Sequence, residues 1–135
     1  MTQKQKELLL KDLCARLPYG VKIAMPGLWD HKITIEPLNE IFKGDDDLFR
    51  VNGNGHCIEY IKPYLFPMSS MTEEQQKEYR KVCDLDMTIL ENCPMKGEPF
   101  PAMYNSQDWL DAHYFDYRGL IPMGLANDAT NLKIY

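Results

Sequence analysis

The chain has 135 residues, 44% hydrophobic and 26% charged, the profile of an ordinary soluble domain that can bury a core without a metal or disulfide. A formal charge of −5 and a pI near 5.1 argue against a general nucleic-acid binder, whose affinity comes mainly from neutralising phosphates. No run approaches the ~20 apolar residues that span a bilayer, and residues 1–6 are polar, so no membrane partner and a cytoplasmic location are expected.

Residues 2–17 form the clearest predicted helix. Leu9, Leu10, Leu13, Cys14 and Leu17 make an apolar stripe at helical spacing, with Lys4, Lys6, Glu7, Lys11 and Asp12 mainly off it. Pro18-Tyr19-Gly20 stops the helix, because proline disfavours helix in the residue before it and glycine releases the backbone. Residues 21–25 then read as a strand by alternation, and Pro26-Gly27 as a turn. A second strand spans 32–36, with Ile33 and Ile35 facing one way and Lys32, Thr34 and Glu36 the other; Pro37 interrupts it or places it at a sheet edge. Residues 38–42 could continue as strand, and 43–47 make a charged turn. Residues 48–51 and 57–64 read as further strands around Asn52-Gly53-Asn54-Gly55.

Three features here suggest chemistry and fall short of it. Gly44-Asp45-Asp46-Asp47 resembles a calcium loop, but Leu48 and Phe49 break the alternation of oxygen ligands and no ligand glutamate follows in place. Asn52-Gly53-Asn54-Gly55 resembles a phosphate loop without its lysine and hydroxyl. His56 and Cys57 would point to opposite faces of a strand and cannot act as a base–thiol pair.

Residues 67–70 leave the sheet. A surface helix begins at Thr72 with the capping-box pattern Thr72 to Gln75, acidic residues at its start and Arg80 and Lys81 later. Leu85, Met87, Ile89 and Leu90 read as a short strand or a turn of helix, and Pro94, Gly97, Pro99 and Pro101 as an extended loop. Cys14, Cys57, Cys83 and Cys93 are scattered without a CxxC pair, so they read as mostly buried free thiols rather than metal ligands.

The densest apolar and aromatic stretch, residues 106–126, anchors the chain. Ser106 is a suitable N-cap, and Trp109, Leu110 and His113 share neighbouring parts of one helical face. The helix ends near Tyr114, a turn runs from Asp116 to Gly119, and an apolar segment follows over 120–125. Residues 127–131 are polar, and 132–135 read as a frayed tail or a late edge strand. His113, Tyr114, Asp116, Tyr117 and Arg118 are the candidate binding residues: a proton-exchanging ring, an anion-holding guanidinium and hydroxyls close together. In the competing reading Asp116 and Arg118 tie down a turn while the aromatics pack.

The run WLDAHYFDYRGLIPMGLA, with IEYIKPYLFPMSSMTEEQQKEY upstream and the opening KDLCARLPYGVK, resembles a group of small gut-bacterial proteins, some carried by phages or mobile elements. No function is assigned to that group, so the resemblance transfers no activity, cofactor or catalytic residue. It implies a bacterial, cytoplasmic accessory protein, and the chain departs from the group over residues 84–103 and after Ala126.

The expected fold is α+β: a small antiparallel sheet of three to five strands packed by the N-terminal helix, with a surface helix and a short C-terminal helix. The expected function is a non-enzymatic protein-interaction or regulatory module, with another protein as partner and no cofactor or metal. The alternative is a small enzyme or small-molecule-binding protein with its site near the HYFDYR segment, drawing on His113, Asp116 and Arg118 and on His31, His56 and Glu59. Nucleic-acid binding would need the Lys62, Lys77, Arg80 and Lys81 cluster, which Glu73, Glu74 and Glu78 interleave. Composition leaves the oligomeric state open.

Overall fold

Thr2 sets the start of the first helix, α1 (Gln3–Arg16). Its hydroxyl accepts the Gln5 backbone N–H at 3.1 Å, while the Gln5 side chain accepts the Thr2 N–H at 2.9 Å. A 3-10 turn over Leu17–Tyr19 and Gly20 at φ 64° end it, the latter a left-handed conformation that costs glycine little. The computed structural model describes residues 1–27, 32–53, 56–91 and 106–135, with side chains omitted over 85–91.

Among these residues the strands are β1 (Lys22–Pro26), β2 (Ile33–Pro37), β3 (Ile41–Lys43), β4 (Phe49–Val51), β5 (His56–Cys57), β6 (Lys62–Pro67), β7 (Phe115–Asp116) and β8 (Asn127–Asp128). The other helices are α2 (Glu73–Glu91) and α3 (Ser106–Ala112). The α+β class therefore holds, with the N-terminal and C-terminal helices in place, but there are two sheets rather than one.

The main sheet has five strands. It runs β2–β1–β6–β7, and β8 also pairs with β6. The β1–β2 and β1–β6 pairs are antiparallel, whereas β6 pairs with β7 and β8 in parallel. Mostly antiparallel strands were expected; the two parallel pairs arise because the connection through α2 and α3 is long enough to return the chain beside β6 in the same direction. The three-stranded second sheet, β3–β4–β5, is antiparallel. The strand expected over 57–64 is broken by a 3-10 turn at Ile58–Tyr60, so its two halves serve different sheets.

Buried Asn52 pins the second sheet to the first. Held at φ 51°, its side-chain oxygen accepts the Asn39 N–H at 2.8 Å, and its amide donates to the Pro37 carbonyl at 3.1 Å. This residue, expected in a loop of hairpin type, is a structural tie.

The largest core cluster joins Leu9 and Leu13 of α1 to Val21, Ile23 and Met25, to Ile61 and Leu65, and to Leu120 and Leu125. A second packs Ala24 and Tyr64 with Ala129 on the other side of the sheet. The third, around Trp109, Leu110 and Phe115, takes in Tyr79 and Val82 of α2. Thr72 and Gln75 cap α2 reciprocally, as their spacing predicts. The helix then continues through Glu91, absorbing 85–90, where a strand or a single turn was expected. The proline-rich loop expected beyond it lies outside the described residues, as does Cys93. Cys14 is exposed and Cys57 and Cys83 are half-buried, all as free thiols, which corrects the expectation of mostly buried ones.

The C-terminus is tied down. The Tyr135 hydroxyl donates to the Tyr64 carbonyl at 2.7 Å and accepts the Lys22 N–H at 2.8 Å, and its ring stacks on Tyr114 at 3.9 Å between centroids.

Candidate functional site

The buried face of α1 is not the purely apolar stripe expected. Leu9, Asp12, Leu13 and Arg16 are the residues it buries, and both charged side chains are fully enclosed. A carboxylate and a guanidinium are tolerated there because a complementary pair comes from the C-terminal segment. Asp12 accepts Arg16 Nε at 2.9 Å through Oδ2 and Arg118 Nη1 at 2.7 Å through Oδ1. Asp111 lies 4.0 Å from Arg16 Nε and 3.9 Å from Arg118 Nη1. Two carboxylates thus face two guanidiniums, and their formal charges cancel.

Tyr117 completes the cluster. Its hydroxyl donates to Asp111 at 2.8 Å and accepts from Gln107 at 3.2 Å. The guanidinium carbons of Arg118 and Arg16 lie 4.5 and 5.4 Å from its ring centre, within range of cation–π attraction. Arg16 Nη2 donates to the Phe115 carbonyl at 2.7 Å; Nη1 is buried without a hydrogen-bond partner among the described residues.

The five residues predicted for this segment therefore divide. Tyr117 and Arg118 enter the ion cluster. Asp116 turns inward and accepts the backbone N–H groups of Leu120 and Ile121 at 2.8 and 2.9 Å, closing the turn that Gly119 permits at φ 76°. His113 stays within its own turn: Nδ1 donates to the Trp109 carbonyl at 2.8 Å and the ring stacks on Trp109. Tyr114, at φ 64°, donates its hydroxyl to the Tyr19 carbonyl. Burial pushes the phenols of Tyr114 and Tyr117 above their ordinary value, so both remain neutral hydrogen-bonding groups.

Asp12, Arg16 and Asp111 escaped sequence reasoning. The only local signal was the i, i+4 spacing of Asp12 and Arg16 on a helix that must bury one face. Of the other enzyme candidates, Glu59 pairs with Lys6 at 3.3 Å, His56 lies half-buried in β5, and His31 is outside the described residues. Among the described residues, no group of three or more His, Cys, Asp or Glu side chains is placed to hold a metal. Nor is any helix there long and apolar enough to cross a membrane.

The Asp111 carboxyl is raised above its ordinary 3.8, by burial first; Tyr117 and the two arginines pull the other way, and Asp12 adds to the rise. The folded value therefore exceeds the unfolded one. Its stabilising contribution is fully present below the unfolded value and is lost as pH rises through the folded value. The stability advantage of wild type over Asp111→Asn should be largest in acid and shrink as pH climbs from about 4. Urea midpoints of both proteins across that range check it; an advantage that grows with pH would refute the assignment.

Concavities among the described residues lie elsewhere. One, of about 210 Å³, sits between α1 and the second sheet, with Lys6, Glu7, Leu10, Phe49 and Glu59 among its walls. Another, of about 200 Å³, lies on the main sheet between Ala24, Pro26, Ile33, Tyr60, Lys62 and Asn127. Around it stand large exposed apolar groups: Ile33 is 66% exposed, Tyr60 66% and Ile35 43%. Comparison with protein-family models, with curated proteins and with solved structures yields no match.

Proposed function

We propose that this chain is a non-enzymatic protein-interaction or regulatory module that binds through the Ile33–Ile35–Tyr60 side of its main sheet. One observation carries the reading: Ile33 and Tyr60, the most exposed large apolar side chains among the described residues at 66% each, stand together at a shallow groove, with exposed Ile35 following Ile33 along β2. Exposed apolar groups gathered in one place characterise contact surfaces, and tyrosine is enriched at them.

The HYFDYR segment supports the same reading from the other side. Its polar atoms are used to hold the turn, the helix and the ion cluster, so an active site there would compete with the fold for the same groups. The contact surface accordingly moves from Tyr114 and Tyr117 to the sheet. An accessory role for a mobile element in the bacterial cytoplasm is the setting that the resemblance implies for such a module.

The test is affinity capture from nuclease-treated native bacterial lysate with wild type, Ile33→Lys and Tyr60→Asp, each shown to be folded. A protein retained specifically by wild type and lost from both variants is the expected result. Equal recovery by all three, or no protein retained by wild type, a second copy of this chain included, would contradict the reading.

A further inference from the structure

We infer that the open edge of β2 pairs antiparallel with β2 of a second copy of this chain, about a two-fold axis at Thr34. This rests on the reading of the Ile33–Ile35 side as the contact surface and names its occupant. Among the described residues β2 is the end strand of the main sheet and pairs only with β1.

The direction of its backbone groups follows from the register. Gly27 N–H donates to the Lys32 carbonyl at 2.7 Å, one step beyond the Pro26–Ile33 pair. Lys32, Thr34 and Glu36 therefore turn their backbone groups towards β1, and Ile33 and Ile35 turn theirs to the outer edge. The outward donors and acceptors lie symmetrically on either side of Thr34. A two-fold axis there sets Ile33 of one copy against Ile35 of the other, twice, with every outward N–H and C=O of the two residues paired. Pro37 brings no N–H to the edge and ends the run.

Side chains agree with the same register. Lys32 falls opposite Glu36 of the second copy and Glu36 opposite its Lys32, so both cross-strand pairs are of opposite charge. The four isoleucines form one row on the side that carries Ala24 and Tyr60. Slipping the register by one residue would remove the Lys32–Glu36 match and turn the apolar row out of line. Antiparallel self-pairing about a two-fold axis, with opposite charges at both outer positions, fits an isologous dimer.

The test is the mass of the full chain in solution as concentration rises, by light scattering and sedimentation equilibrium. Wild type is expected to pass from 15.7 kDa to twice that mass. Lys32→Glu and Glu36→Lys each create two like-charge pairs and should each weaken the dimer roughly tenfold. Mixing those two variants restores opposite charges at both positions and should bring the dimer back as a heterodimer, as should the doubly swapped chain. A monomer at every concentration would overturn the inference, as would a dimer indifferent to both charge reversals. If the chain is monomeric yet Ile33→Lys still loses a captured partner, the second-copy inference falls and the interaction reading stands; if capture is also unaffected, both fall.

Discussion

Asp12→Ala should destabilise the fold by about 3–5 kcal/mol, because it leaves buried guanidiniums without their counter-charge. Asp12 is the hub of the cluster: fully buried, it accepts from both Arg16 and Arg118 and so joins α1 to the turn after β7. Arg16 cannot recover its solvation by turning outward, since it too is fully buried and its Nη2 is held by the Phe115 carbonyl. Urea denaturation read by circular dichroism gives the loss directly. Replacing Asp12 and Arg16 together by Leu and Met should cost less than the sum of the single replacements, because Arg118 and Asp111 then remain as a balanced pair. Additive losses would mean that the four charges do not act as a unit.

Trp109→Ala should cost a similar amount, about 3–5 kcal/mol, for a different reason. Its ring is 1% exposed and packs against Phe115 at 5.8 Å and Tyr79 at 5.4 Å between centroids. The indole N–H also donates to Glu78 at 3.1 Å, so one side chain joins α3 to both the sheet and α2. Its removal opens a cavity at the junction, and the amides of α2 should exchange faster than those of α1. Trp109→Phe keeps much of the packing and should lose only a fraction of that stability. Equal losses for Ala and Phe would place the importance of Trp109 in its N–H rather than in its ring.

How much of this was legible in the sequence depends on the range of the interactions involved. Both capping boxes, at Thr2 and Thr72, are complete within four residues, and only the second was singled out from its spacing. Alternation placed β1 and β2 within a residue of their bounds, and of the two readings of Pro37, an interruption or an edge, the strand has the second. The parallel return of β7 and β8 to β6 could not be read locally, because it is set by the path through two helices. Nor could the burial of Asp12 and Arg16, whose partners lie about a hundred residues further on. Charge on a helix face usually signals solvent; here the charges of α1 are neutralised inside by Asp111 of α3 and by Arg118 of the turn after β7. Of the HYFDYR residues, the sequence brought out their density but not their bonding, and it is the bonding that makes the segment a clasp.

In the proposed function the contact surface is the Ile33–Ile35 edge and not the C-terminal polar residues. Hydrogen exchange on the full chain, followed from dilute to concentrated solution, tests it most directly. The Ile33 and Ile35 amides, unpaired among the described residues of one chain, should gain protection as concentration rises, while those of residues 113–118 stay constant. Protection gained over 113–118 instead, with β2 unchanged, would contradict it.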